Sequence, residues 1–569
     1  MKLLRLAFVS AIFLSQIALQ AQNAEYQTIH VLYTTDVHGA ILPYNFIADK
    51  TTDHSMAHVS SYVDAVRDTA ENTILLDCGD FLQGTPAIYY FNYESTSTNL
   101  ASQVFNYMNY DAVCVGNHDI ETGHAVYDKV RNEMNMPLLA ANAISTSTGE
   151  PYFEPYTIVE RGGKKIAVVG LITPHIPHWL SENLWSGMKF DDMIETAEKQ
   201  INTIREKENP DAVIGLFHSG YDYTYGGMTA ETYMNENASL LVAQRVSGFD
   251  AILIGHDHKL YNKKVVSTDG DSVLVLDAGT AARNVGHLTL MFDRDNKLRC
   301  DGEIVSMKNF EPSETFVQQF ASESEAVKQF AQKKIGTISK TIYACESLVG
   351  SSAFVDMVHR TMLKHSGADI SFSAPLLINS ELQQGDVTVG NMFSIYRFEN
   401  KMTTMRMTGE EIKNYLEYSF DMWVTNPADS GHLLKMHDNR LVNPYYNFDS
   451  AAGIIYTVNP YMPYGERITI LKTADGEEFD KTKMYVVALN SYRSNGGGGH
   501  LEKGAGIARD ELNSRIIKQF DEDLRGLIIK DITESGCVDV EPLNNWKFTP
   551  EKKLKKIKAA DLQIFKQTK

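Results

Sequence analysis

The first half of the chain alternates short apolar segments with longer amphipathic ones. Apolar, β-rich runs occupy Thr28–Thr34, Thr73–Leu76, Ala112–Val115, Lys165–Gly170, Ala212–Phe217 and Ala251–Ile254. Between them, apolar positions recur at helical spacing, for example over His58–Asp68 and Asp191–Glu208. Strands that alternate with helices predict a layered architecture. The fold class that we expect for this half is therefore α/β.

A second region with a different pattern follows. Residues 312–340 are rich in Glu, Gln, Lys and Ala, which predicts a helical linker. Beyond it, strands are predicted at Asp386–Thr388, Lys401–Met407 and Met484–Leu489. Because 569 residues exceed what one core usually supports, we expect two domains, at 25–311 and 341–550. The lysine-rich tail, 551–569, predicts a solvated helix.

Residues 1–24 have the pattern of a secretory signal peptide. Lys2 and Arg5 precede an apolar run, and small residues follow near Ala21 and Ala24. The run is short for a stable membrane span. We therefore expect a periplasmic or secreted protein without a stable membrane anchor. A buried N-terminal helix is the alternative interpretation.

The amino-acid composition argues against some kinds of binding partner and against a fold held together by disulfide bonds. A formal net charge of −19 disfavours binding along polymeric nucleic acid, although a small phosphate ester can bind where its site supplies cations. The five cysteines are too few for a disulfide framework and include no CxxC pair of the kind that binds zinc. We expect a monomer with a small substrate.

Five polar clusters each follow an apolar strand, where α/β folds place their ligand-binding groups. They are Asp36 with His38, Gly79-Asp80, Gly116-Asn117-His118-Asp119, His218-Ser219 and Gly255-His256-Asp257-His258. One such cluster alone is typical of a turn or a hydrogen-bonded surface residue. Five of them at strand ends indicate a site. Asp, Asn and His together provide oxygen and imidazole donors that suit zinc, manganese, iron or cobalt.

The ordered pattern D-x-H, GD, GNH, H and GHxH resembles the two-metal phosphoesterases of the calcineurin-like superfamily, specifically the bacterial nucleotidases. The resemblance implies a four-layer αββα sandwich domain followed by an α+β substrate domain. It also implies two divalent metal ions. One ion would be held by Asp36, His38, Asp80 and His258, and the other by Asp80, Asn117, His218 and His256. A water between two such cations loses a proton near neutral pH and can attack phosphorus.

The same resemblance assigns separate roles to the polar residues after Asn117. His118 is implied to act on the phosphoryl group or the leaving group without binding metal. Its carboxylate partner is implied three residues further on, at Glu121, where many relatives carry Asp. Asp119 is interpreted as an acid favoured by the dipole of a helix N-terminus.

The second domain also resembles that of the nucleotidases, but it departs from the 5′-nucleotide type. Asn379 stands where the arginine of that type is expected, and no aspartate lies near Gly498. These features, and the motif at Asn544–Pro550, resemble the branch that acts on 2′,3′-cyclic nucleotides and 3′-nucleotides. By motif position, Phe398 and Tyr492 are the two faces between which a base would stack.

We therefore expect a phosphoesterase that hydrolyses 2′,3′-cyclic nucleotides and then the resulting 3′-nucleotides. A 5′-nucleotidase or UDP-sugar hydrolase is the first alternative, and a nucleotide-binding protein without catalysis is the second. The family moves its second domain relative to the first, so we also expect the segment Pro312–Ser339 to act as a hinge.

Overall fold

The computed structural model describes residues 26–567, so the signal-peptide prediction for 1–24 lies outside the described residues. The chain divides into two units. The first takes in most of the chain up to Ser324, and the second most of the chain from Glu325 onward. Within the described part of the chain, no helix is long and apolar enough to cross a membrane.

Two six-stranded sheets form the first unit. In spatial order, the first sheet consists of Leu298–Ser306, Asn284–Phe292, Gln27–Thr34, Thr73–Asp77, Ala112–Cys114 and Leu138–Leu139. The second consists of Leu260–Val266, Ser272–Ala278, Ala251–Ile254, Ala212–His218, Lys164–Ile172 and Tyr156–Arg161. Four strands of each sheet are parallel, so their carboxyl ends meet at one edge.

The two sheets pack face to face. Val31 and Leu76 of the first sheet share one buried cluster with Val168, Leu216 and Leu253 of the second. The side chains that alternate with these point outward and are buried too, because helices cover the outer faces. The main covering helices are Met56–Arg67, Leu100–Met108, His124–Glu133, Met193–Lys207 and Ser239–Arg245. The prediction of a layered α/β domain is confirmed, and all six predicted strands are present.

The predicted linker helix at 312–340 is wrong in its extent. The segment contains two helices, Glu314–Gln319 and Ala321–Gln332, and then a strand, Lys334–Ile338. That strand pairs antiparallel with Gly385–Thr388 in the second unit. Its two isoleucines are buried, and they and Thr337 are β-branched, so this segment suits a sheet although the residues before it are helical.

The second unit is built on a five-stranded sheet. Its strands, in spatial order, are Ser450–Ala452, Ile370–Ser373, Met484–Asn490, Lys401–Thr408 and Ile516–Asp523. A smaller sheet contains Ile468–Thr473, Ile454–Val458 and Trp546–Phe548. The longer helices of this unit are Ala353–Ser366, Gly409–Trp423, Leu524–Ser535 and Glu551–Gln567. The three strands predicted here are present, and the unit is α+β as expected.

The C-terminal helix, Glu551–Gln567, is only partly solvated. Its lysines at 552, 553, 555 and 556 are exposed, as the sequence predicted. Its other face is buried through Leu554 and Phe565, which belong to the core of the second unit. Asp561 is also buried and accepts hydrogen bonds from the backbone N–H groups of Leu433 and Leu434. The helix is therefore part of the domain.

An aromatic cluster forms the centre of the second unit. The Trp546 ring stacks parallel to Tyr456 with centroids 5.9 Å apart, and it meets Phe420 and Trp423 edge-on. The neighbouring Asn545 amide donates to the carbonyls of Ala451 and Ile454. The motif at Asn544–Pro550 thus contributes to the core of this domain.

Replacing Trp546 with Ala should destabilise the protein by about 3–5 kcal/mol, because it removes a buried indole and leaves a cavity. The free energy of unfolding of the second unit, measured in urea by tyrosine and tryptophan fluorescence, tests this. Met484→Ala is the control, because Met484 is 46% exposed in the same unit and should change the free energy by less than about 0.5 kcal/mol. Equal effects of the two changes would contradict the assigned core.

Candidate active site

The polar clusters lie where parallel strands of both sheets end. The first sheet contributes the residues that follow Thr34, Asp77 and Cys114. The second contributes the end of strand Ala212–His218 and the residues that follow Ile254. Because the sheets pack face to face, these strand ends lie close together. The five polar clusters found in the sequence therefore form one site.

The first group of side chains contains Asp36, His38, Asp80 and His258, whose candidate ligand atoms all lie within 4.8 Å of one another. The distance is 3.2 Å from His258 Nε2 to Asp36 Oδ1 and 2.9 Å from His38 Nε2 to His258 Nε2. Buried carboxylates facing imidazole nitrogens at these separations suit a divalent cation, which would neutralise the acids. The donor set therefore fits a metal ion.

A second group adjoins the first and shares Asp80 with it. Asp80 Oδ2 lies 3.1 Å from His218 Nε2 and 3.9 Å from His38 Nε2, so this carboxylate faces both groups. Asn117 Oδ1 lies 3.1 Å from His218 Nε2 and 2.8 Å from His256 Nδ1. All seven residues that the sequence predicted as ligands are therefore brought together, and a carboxylate in the position of Asp80 can bridge two ions.

Five of these seven residues have a left-handed backbone. The φ angles are 48° at Asp36, 46° at His38, 60° at Asp80, 85° at His256 and 58° at His258. A non-glycine residue in this region costs roughly 1–2 kcal/mol, so such residues persist only where the surroundings hold them. Their concentration in one cluster is a structural indication of a functional site, in addition to the sequence motif.

His118 lies beside this cluster and contacts Glu121. Its Nδ1 is 2.6 Å from Glu121 Oε2, and its ring centroid is 5.4 Å from that of His38. Burial disfavours the imidazolium, but the carboxylates of Asp80 and Glu121 outweigh it and raise the pKa of His118 to about 9. The Glu121 side chain is therefore long enough to reach the imidazole, as the proposed pairing requires.

Two polar residues near His118 have roles that the sequence did not reveal. Gln83 donates its side-chain amide to Glu121 Oε2 over 2.8 Å and so orients the acid that contacts His118. Asp119 does more than favour a helix N-terminus, because its carboxylate accepts four backbone N–H groups at 2.8–3.0 Å. The donors are Gly116, Asp80, Phe81 and Leu82. Asp119 thus ties the loop that carries Asp80 to the loop that carries Asn117.

In the second unit, Phe398 and Tyr492 lie at the ends of two neighbouring strands of the five-stranded sheet. Phe398 precedes strand Lys401–Thr408, and Tyr492 follows strand Met484–Asn490. These strands are antiparallel neighbours in which Met402 pairs with Asn490, so the two loops are adjacent. Both rings are half-buried. This placement is compatible with two faces for one base.

Asn379 has a different environment. It is exposed, in the loop after strand Ile370–Ser373, and lines a cavity of about 230 Å³. The cavity walls include Tyr343 and, from the C-terminal helix, Phe565 and Lys566. The sequence offered no signal that the C-terminal helix would reach this residue.

Two facing β-sheets covered by helices, with Asp, Asn and His side chains at the ends of the parallel strands, are the architecture of the metallophosphoesterases. The family model for calcineurin-like phosphoesterases matches residues 29–260, and that for the 5′-nucleotidase C-terminal domain matches residues 334–503. The chain therefore belongs to the metallophosphoesterases that combine these two domains. Membership of this fold class implies divalent metal ions.

Several known proteins are similar over most of this chain. The 2′,3′-cyclic-nucleotide 2′-phosphodiesterase/3′-nucleotidase of Yersinia enterocolitica is 24% identical over 608 residues, covering 94% of this chain and 90% of that protein. The trifunctional nucleotide phosphoesterase YfkN of Bacillus subtilis is 24% identical over 94% of this chain, which spans only 40% of its length. The crystal structure of a candidate 5′-nucleotidase from Staphylococcus aureus has a TM-score of 0.78 at 21% identity, covering 92% of this chain and all of that one, which shows a shared fold.

Asp119 and Glu121 should respond differently to conversion into amides. Asp119→Asn should destabilise the protein by about 3 kcal/mol, because one amide oxygen cannot satisfy four buried N–H donors. Glu121→Gln should lower stability less than Asp119→Asn does, because the amide keeps an oxygen that can accept from His118 and Gln83. It should also lower kcat by tenfold or more, since it removes the charge beside His118. Urea unfolding and steady-state kinetics on both variants measure this. Unchanged stability of Asp119→Asn would contradict the anchoring role.

Proposed function

We propose that the protein is a periplasmic, metal-dependent phosphoesterase that hydrolyses 2′,3′-cyclic nucleotides to 3′-nucleotides and then to nucleosides and phosphate. The observation that carries the proposal is the convergence of all seven predicted ligand residues in one site, with Asp80 shared between two groups. The likeness to a protein named for this activity supports the choice of substrate. So does a second domain without the arginine and aspartate of the 5′ type.

The two residue groups would hold one divalent ion each. Bound ions would stabilise the negative charge that develops on the phosphoryl group and would provide an activated water. The Asp80 carboxylate would contact both ions, and Asn117 would add a neutral oxygen to the second group. Because Asn117 is neutral, the second group with its ion bound would keep more net positive charge than the first. That charge would favour the binding of an anionic phosphate ester.

His118 would act directly on the substrate. With Nδ1 engaged by Glu121, Nε2 is the nitrogen that can donate a proton to a phosphoryl or leaving oxygen. The Glu121 carboxylate favours the imidazolium, which keeps that proton in place until it is transferred. Gln83 limits the positions open to Glu121 and so holds the ring in one orientation.

The two successive hydrolyses need only one set of catalytic groups. In the first step water attacks phosphorus and the bond to O2′ breaks, which leaves a 3′-phosphate. In the second step water attacks again and the bond to O3′ breaks, which releases phosphate. A base stacked between Phe398 and Tyr492 would keep the ribose in place while the leaving oxygen changes from O2′ to O3′.

A substrate panel tests the proposed specificity. With purified protein and added Mn²⁺, kcat/KM should be at least about tenfold higher for 2′,3′-cyclic AMP and 3′-AMP than for 5′-AMP, a difference of about 1.4 kcal/mol. Exhaustive chelation should abolish all three activities, and added Mn²⁺, Zn²⁺ or Co²⁺ should restore them. Faster turnover of 5′-AMP would favour a 5′-nucleotidase. Absence of activity and of bound transition metal would favour a non-catalytic binding protein.

The aromatic faces can be tested separately from the metal site. Phe398→Ala should raise KM by about 5- to 150-fold, since stacking on one aromatic ring contributes about 1–3 kcal/mol per base. Phe520→Ala is a matched control, because Phe520 is also half-buried in the second unit and each of the two rings has a cation over it. Arg397 Cζ lies 6.0 Å from the Phe398 ring centroid, and Lys518 Nζ lies 4.2 Å from that of Phe520. Equal changes of KM in the two variants would refute the stacking role of Phe398.

A further inference from the structure

The ring of His256 contacts a carboxylate outside the predicted ligand set. Its Nε2 lies 3.1 Å from Glu236 Oε1, and both side chains are 12% exposed. The other ring nitrogen, Nδ1, lies 2.8 Å from Asn117 Oδ1. The imidazole is therefore positioned between Glu236 on one side and the second residue group on the other.

Glu236 is itself held by the ends of two strands. Its backbone carbonyl accepts the Thr173 hydroxyl over 3.0 Å and the Ser219 hydroxyl over 2.8 Å. Thr173 follows strand Lys164–Ile172 and Ser219 follows strand Ala212–His218. Both contacts lie directly beside His218, so the loop that carries Glu236 is fixed to the part of the sheet that carries a predicted ligand.

The hydrogen bonds of His256 and His218 indicate which ring nitrogen of each faces the proposed metal site. A carboxylate only accepts hydrogen bonds, so Nε2 of His256 carries the proton and Nδ1 presents its lone pair to the site. His218 has the opposite arrangement, because its Nδ1 donates to the carbonyl of Cys78 over 2.7 Å and Nε2 faces Asp80. Partners of this kind fix the tautomer and raise the basicity of metal-ligating histidines.

We propose that Glu236 is a positioning residue for the second metal ion, acting through His256 by fixing its tautomer and orientation. The inference rests on the proposed function, because it requires His256 to be a ligand. Glu236 has one further imidazole nearby, His175, whose Nδ1 is 3.7 Å from Oε2. That longer contact leaves Oε1 as the oxygen that serves His256.

The variants are chosen so that a positioning role can be separated from a structural one. Glu236→Ala removes the acceptor, and Glu236→Gln keeps a carbonyl oxygen that can still accept the His256 Nε2–H. Glu231→Gln is the matched control, because Glu231 lies in the same loop, is 85% exposed and pairs with Arg245 at 2.9 Å. Glu236→Ala combined with His256→Ala completes a double-mutant cycle.

The measurement is metal binding by the full chain, without any assay of turnover. Protein stripped by a chelator is titrated with Mn²⁺ by calorimetry, and bound metal is counted by mass spectrometry after equilibrium dialysis. Wild type should bind two ions per chain. Glu236→Ala should weaken one of the two ions by about 10- to 100-fold and change the other by less than about twofold. Glu236→Gln should recover most of the loss, and Glu231→Gln should match wild type.

Each alternative result has a distinct meaning. If Glu236→Ala binds both ions with wild-type affinity, or weakens both equally, Glu236 does not position a ligand of the second ion. If its effect persists in full in the His256→Ala background, Glu236 does not act through His256, and the inference also fails. If wild type itself binds no divalent ion, the proposed function fails, which is a different outcome from either of these.

Discussion

The structure of the first domain depends on burying the carboxylates of Asp36 and Asp80 where the two sheets meet. Removing a carboxylate from water costs several kcal/mol unless hydrogen bonds or opposite charge compensate. Backbone N–H groups supply part of that compensation, since His256 N lies 3.0 Å from Asp36 Oδ2 and His118 N lies 2.8 Å from Asp80 Oδ1. Imidazoles supply another part. The loops at the strand ends are shaped by this requirement, and a cation between the acids would complete it.

Much of this arrangement could be predicted from the sequence because each predicted ligand has a local sequence signal. Each follows an apolar run, and parallel strands bring the ends of such runs to one edge of a sheet. Glu236 could not be predicted in this way, because it lies in a long loop that also carries the exposed Glu231, and only the fold distinguishes the two acids. Gln83 was missed because an amide shortly after Asp80 carries no sequence signal, and only the fold brings it to Glu121. The strand at Lys334–Ile338 was missed because its partner, Gly385–Thr388, lies in a distant part of the chain.

In the second domain, charge is also buried next to a predicted substrate contact. Arg493 follows Tyr492, is 3% exposed, and donates to both oxygens of Asp449 at 2.9–3.0 Å. The same guanidinium donates to the carbonyls of Tyr446 and Gly497. A buried ion pair with this many hydrogen bonds holds its surroundings in one geometry more than it adds net stability. Tyr492 therefore lies in a rigid turn, which would reduce the entropy lost in the proposed stacking of a base on its ring.

A bound metal ion would offset the conformational cost of the five predicted ligands that have a left-handed backbone, and would so link the stability of the first domain to the supply of metal. Any ion that binds the folded chain and not the unfolded one stabilises it by mass action, by about 2.7 kcal/mol when its free concentration is a hundred times its Kd. That gain is comparable to the conformational cost of two strained residues. The lifetime of the protein would then follow the local concentration of free divalent ions, as its proposed activity would.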